Sequence, residues 1–139
     1  CTKMQGQLTS ANCSIAQRAA LTAITGDLGP TREMTAAYLQ RRELVHKLLS
    51  EIPGVKTNMP KGAFYFFPDV SHYFGMKNGN TQLNNASDLC MYLLETAHVS
   101  LVTGEAFGDS NCVRISYAAS TDNLKEALKR IKEALSKLS

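Results

Sequence analysis

The residues CVRISYAAS at 112–120 set an arginine inside what otherwise reads as a buried strand. Val113, Ile115 and Tyr117 alternate with Arg114 and Ser116, and in an extended segment that alternation sends the two sets to opposite faces. Arg114 then either lies along a sheet edge, or pairs with a nearby carboxylate, or is an anion reader held rigid by the sheet.

The other reactive side chains do not converge on a chemistry. Cys1, Cys13, Cys90 and Cys112 form no C-x-x-C pair and are not spaced like a secreted disulfide framework, so reduced thiols are expected. His46, His72 and His98 are far apart, and none stands three or four positions from another histidine or a cysteine, which gives a zinc site no support. No G-x-S-x-G elbow occurs, and GEAFG at 104–108 lacks the Lys-Ser/Thr ending of a phosphate loop. A self-contained hydrolase or nucleotide enzyme is not expected.

The elements that position Arg114 must come from 139 residues, 44% of them apolar, enough for one compact domain with its own core. The 15 basic and 12 acidic residues leave a net charge of +3, and the lysines gather on the last helix rather than among aromatics, which argues against nucleic acid. No apolar run approaches the ~18 residues needed to cross a bilayer and no signal peptide opens the chain, so no membrane partner and a cytoplasmic location are expected.

The polar, turn-rich QGQLTSANC precedes a helix over 14–24, with Ser14 and Gln17 spaced as a capping box and Gly26 placed to end it. After the break GDLGP at 26–30, the apolar positions Met34, Ala37, Tyr38, Leu44, Val45, Leu48 and Ile52 predict one long amphipathic helix over 32–52, stopped by Pro53-Gly54. A short strand is expected at 55–57, a stronger one at 63–67, and a loop over 72–85. Asn85 and Asp88 start a helix to about Ala97; strands at 99–102 and 112–117 follow, and the stripe Leu124, Leu128, Ile131, Leu135 closes the chain as a helix. The pattern is that of an α+β two-layer sandwich: a mainly antiparallel sheet of three to four strands, covered on one face by helices, with a long N-terminal amphipathic helix. Val113 and Ile115 would lie under the helices and Arg114 on the uncovered face.

GQLTSANCSIAQRAA, RRELVHKLLSEIPGV, KGAFYFFPDV, GEAFG and VRISYAAS, in this order and followed by an amphipathic helix, resemble the C-terminal third of the fold-type I aminotransferases that use pyridoxal phosphate, most closely the bacterial aspartate aminotransferases. The resemblance covers nearly the whole chain; Thr103 departs from it, standing where the family usually has proline. It implies that residues 1–30 are the end of the large domain with its linker, and 31–139 the small domain. It implies a two-pronged salt bridge from Arg114 to the α-carboxylate of an amino-acid or 2-keto-acid substrate. A guanidinium suits that partner because its planar fork matches a carboxylate. Phe64 is either the family aromatic on the substrate side of the cofactor pocket or an ordinary core phenylalanine. Thr9 and Ser10 resemble the loop that reaches the neighbouring subunit's active site in the family homodimer, though a turn before a helix cap accounts for them equally.

The lysine that holds pyridoxal phosphate in this family belongs to a Ser-x-x-Lys-type motif, which CTKMQG around Lys3 does not resemble. The chain is therefore expected to be a C-terminal piece of a longer aminotransferase that transfers an amino group to a 2-keto acid, with the large domain as its partner and no cofactor bound or activity of its own. The competing expectation is a free-standing α+β module that reads an acidic group through Arg114.

Overall fold

The computed structural model describes residues 1–9 and 12–139. The chain divides into two compact units, Cys1–Thr35 and Ala36–Ser139. In the first unit, α1 (Thr2–Leu8) replaces the expected turn-rich approach, and α2 spans Ser14–Thr25. The capping box does not form: Cys13 is the cap residue of α2 and makes no side-chain cap bond, while the Gln17 amide donates to the Asn12 carbonyl at 2.8 Å. Gly26 ends α2 as expected. None of the described residues of this unit is buried.

Helix α3 (Gly29–Ser50) begins three residues before the expected start. Pro30 falls in its first turn, where a backbone N–H has no helical partner in any case, so GP opens the helix instead of breaking the chain. The helix crosses into the second unit, where Val45 and Leu49 are buried in the core.

The core of Ala36–Ser139 is α+β. Strand β1 (Tyr65–Phe66), β4 (Val102–Thr103) and β5 (Val113–Ser116) form an antiparallel sheet in the order β1-β5-β4. Helix α4 (Ala86–Ala97) and α5 (Thr121–Leu135) contribute Leu89, Leu93, Leu128 and Ile131 to one buried cluster with Phe66, Val113 and Ile115. Both helices start at capping side chains: Asn85 accepts from the Asp88 amide at 2.9 Å, and Ser120 from the Asn123 amide at 3.2 Å. Such a cap answers one of the orphan N–H groups of the first turn and is worth about 1 kcal/mol.

Other expectations change as well: the strand expected at 63–67 is only Tyr65–Phe66, and the one expected at 99–102 is only Val102–Thr103. The segment 55–57 is only an isolated bridge, Lys56 to Asp69, and Asp69 bridges in turn to Cys112. The presumed loop 72–85 holds a 3-10 turn at Ser71–Tyr73 and a hairpin of β2 (Lys77–Asn78) and β3 (Thr81–Gln82), turned at Gly79 with φ 58°. That hairpin is fastened twice. Lys77 and Ser139 exchange a pair of backbone hydrogen bonds at 3.0 Å. The Asn78 amide donates to the Tyr92 hydroxyl at 3.1 Å, which donates in turn to the Ala134 carbonyl at 2.9 Å.

Candidate functional site

Strand β5 has a neighbour on each side, so the backbone that carries Arg114 is held by hydrogen bonds along both edges. Val113, Ile115 and Tyr117 are buried, Arg114 is partly exposed and Ser116 exposed, which is the alternation read from the sequence. In the ladder Val102 faces Arg114 and Tyr65 faces Ser116, so Tyr65 is the diagonal neighbour of Arg114 on the open face. A diagonal pair is within reach of long side chains.

The guanidinium carbon of Arg114 lies 4.7 Å from the Tyr65 ring centroid and 4.5 Å from that of Phe107. Phe107 stands edge-on to Phe67, with centroids 6.4 Å apart. Arg114 makes no salt bridge with any carboxylate among the described residues, which rules out the structural ion pair entertained for it. What the arrangement offers is a cation with aromatic rings beside it and no internal anion.

Phe107 is delivered by the GEAFG segment. Its 3-10 turn, Glu105–Phe107, is closed by the Phe107 amide donating to the Gly104 carbonyl at 2.8 Å, and Gly108 leaves it with φ 93°. The Gly104 amide donates to the Cys112 carbonyl at 2.8 Å, which ties the turn to the start of β5.

Phe64 is 40% exposed, with its ring 4.4 Å from that of Tyr65, and so is not a core phenylalanine. It follows Ala63, a non-glycine residue at φ 58°. The Ala63 carbonyl accepts from the Tyr117 hydroxyl at 2.8 Å, and the Phe64 carbonyl from the Tyr117 amide at 2.9 Å, so the GAF segment is pinned to the strand that carries Arg114. Arg42 of α3 secures the approach to it by donating to the Pro60 carbonyl at 3.2 Å. Thr9 caps the end of α1, its hydroxyl donating to the Gln5 carbonyl at 2.8 Å. Thr9 belongs to the first unit, and Arg114 and Phe64 belong to the second. Ser10 lies outside the described residues.

Tyr65 and Phe107 were not singled out from the sequence. The available signal was the GEAFG glycine pair, which marks a tight turn with an aromatic inside it.

The residues present do not fit pyridoxal phosphate. No charged side chain is buried among the described residues, so none is a desolvated lysine of the kind that holds such a cofactor. No cluster of three or more metal-ligating side chains is found among them either. No described helix is long and apolar enough to cross a membrane.

The thiols differ in environment. The backbone N–H groups of Ala16 and then Ile15, at the start of α2, lower the pKa of the exposed Cys13. Burial first, then the nearby Asp109 and Asp69, push that of Cys112 up to about 11. Because the thiolate is the nucleophile, iodoacetamide at pH 8 should label Cys13 at least about tenfold faster than Cys112. Timed alkylation with peptide mass mapping checks this, and equal rates would contradict the assigned environments.

Residues 1–131 match the family described as aminotransferase class I and II. Over 141 residues the chain is 47% identical to a bifunctional aspartate aminotransferase and glutamate/aspartate-prephenate aminotransferase of Petunia hybrida, covering 97% of this chain and 29% of that protein. It is 42% identical to an aspartate aminotransferase of Rhizobium meliloti (strain 1021), covering 98% of this chain and 33% of that protein. The crystal structure of the aspartate aminotransferase from Rhizobium meliloti superposes with a TM-score of 0.91 at 42% identity, over 98% of this chain and 34% of that one. The chain belongs to the aminotransferase class I and II family, and it spans about a third of the length of these relatives.

Proposed function

We propose that this chain is the C-terminal part of a pyridoxal-phosphate-dependent aminotransferase acting on an amino acid, with aspartate favoured by the names of the relatives, and a 2-keto acid. Within it Arg114 binds the substrate's α-carboxylate. The observation that carries this reading is the Arg114 guanidinium, fixed on the central strand, partly exposed, flanked by two rings and without a protein carboxylate. A carboxylate that docks there gains charge-assisted hydrogen bonds without first displacing an internal partner.

Phe64, exposed beside Tyr65, then lines the substrate side of the site. Thr9 serves the second active site of a homodimer. Residues 31–139 act as the small domain that closes over bound substrate and excludes water, and 1–30 as the end of the large domain. The whole enzyme is soluble and cytoplasmic, and the chain by itself is inactive.

The full-length enzyme, assayed against a panel of amino-acid and 2-keto-acid pairs, should transfer amino groups to a 2-keto acid; no transfer with any pair would refute the proposal. The chain alone, titrated with pyridoxal phosphate and reduced with borohydride, should show only scattered labelling of surface lysines. One saturable lysine accompanied by transaminase activity would show instead that the chain is a complete enzyme.

A further inference from the structure

We infer that Tyr65 and Phe107 form an aromatic clamp that sets the plane of the Arg114 guanidinium, making both of them positioning residues for carboxylate binding. The inference rests on the proposed role of Arg114. Two rings from separate segments, one on β1 and one on the 3-10 turn before β5, lie within 4.7 and 4.5 Å of the same guanidinium carbon. Both distances fall inside the ~6 Å over which a cation is attracted to a ring face.

An arginine on an open face ordinarily samples many rotamers, and ordering it on binding costs conformational entropy. Rings over the guanidinium remove that freedom beforehand. On this reading the rings take its faces, which donate no hydrogen bonds, and leave the rim where the N–H groups project. A carboxylate approaches that rim in the plane and meets two parallel donors.

The placement of Phe107 supports this. It is 50% exposed, so its ring adds little to the core, yet two glycines, a 3-10 turn and a tie to the Cys112 carbonyl hold it in position. The rings contribute in proportion to their π-faces. An aliphatic side chain of similar bulk would keep the packing and lose the attraction to the cation.

The test uses the full-length enzyme at fixed ionic strength, with the best amino-acid substrate of the panel and propionate as a competitive inhibitor that offers one carboxylate and little else. Phe107→Leu and Tyr65→Leu should each raise KM and the propionate Ki about five- to tenfold, the scale of one cation–π contact, with the loss falling on binding rather than on kcat. Phe107→Tyr, which restores a ring, should recover most of what Phe107→Leu loses. The clamp is overturned if both leucine variants bind propionate like wild type, or if Phe107→Tyr is as weak as Phe107→Leu. Arg114→Ala separates the two levels. If it weakens propionate binding while the leucine variants do not, the clamp fails and the role of Arg114 stands; if it too leaves binding unchanged, that role fails as well.

Discussion

Arg114→Ala in the full-length enzyme should lower kcat/KM by about 2–5 kcal/mol, with cofactor occupancy nearly unchanged. The size follows from what is left behind. A carboxylate brought into a closed site has given up water, and without its partner it is a desolvated charge with nothing to answer it. The variant also uncovers the Tyr65 and Phe107 rings that flank the guanidinium. Arg114→Lys should recover only part of the loss, since an ammonium keeps the charge but cannot present the planar fork or stack between rings in the same way. Steady-state kinetics with parallel absorbance measurement of bound cofactor decides the matter. An Arg114→Ala enzyme within about twofold of wild type, under ~0.5 kcal/mol, would leave Arg114 as an ordinary surface charge.

Gly104→Ala should destabilise the protein by about 3 kcal/mol or more, enough to lower the melting temperature by on the order of 10 °C. A β-carbon at Gly104 would stand 2.4 Å from the carbonyl oxygens of both Asp109 and Cys112 and 2.8 Å from the Cys112 carbonyl carbon. These are backbone atoms, so no side chain can swing aside to make room. The strand that carries Arg114 begins one residue after Cys112, so relief of the clash must move either the turn bearing Phe107 or the start of β5. Gly108→Ala provides the comparison: the space beside Gly108 is open and only its φ of 93° opposes a side chain, so its cost should stay near 1 kcal/mol. Thermal denaturation of the two variants beside wild type checks the ranking, and a Gly104→Ala protein melting within about 2 °C of wild type would overturn it.

What could be read in advance depended on how local its cause is. The two-sided pattern of β5 and the cap at Asn85 are set by residues a few positions apart, and the structure reproduces them. Helix α1 escaped notice because TKMQGQL has a central glycine and no apolar stripe, and none of its residues is buried. The hairpin β2–β3 was hidden because its strands have two residues each, too short to show alternation, and its fastening comes from Tyr92 and Ser139, far along the chain. GDLGP reads as a break until Pro30 is placed in a first helical turn. Arg114 was found by its misfit within an apolar strand. Tyr65 and Phe107 were not, because aromatic residues in a strand and a glycine turn raise no question until the fold brings both to one guanidinium.

The stitching of the hairpin bears on how the domain opens locally. Lys77 and Ser139 share two backbone bonds, and Asn78, Tyr92 and Ala134 form a relay from the hairpin through α4 to the end of α5. The hairpin, whose strands have two residues each, is thus closed into a ring of contacts with α4 and the residues at and beyond the end of α5, and releasing it exposes polar groups of both. Fraying at this edge is expected to be all-or-none: the amide protons of Lys77 and Ser139 should exchange with solvent deuterium together, at the rate of a shared excursion, and independent rates would contradict it.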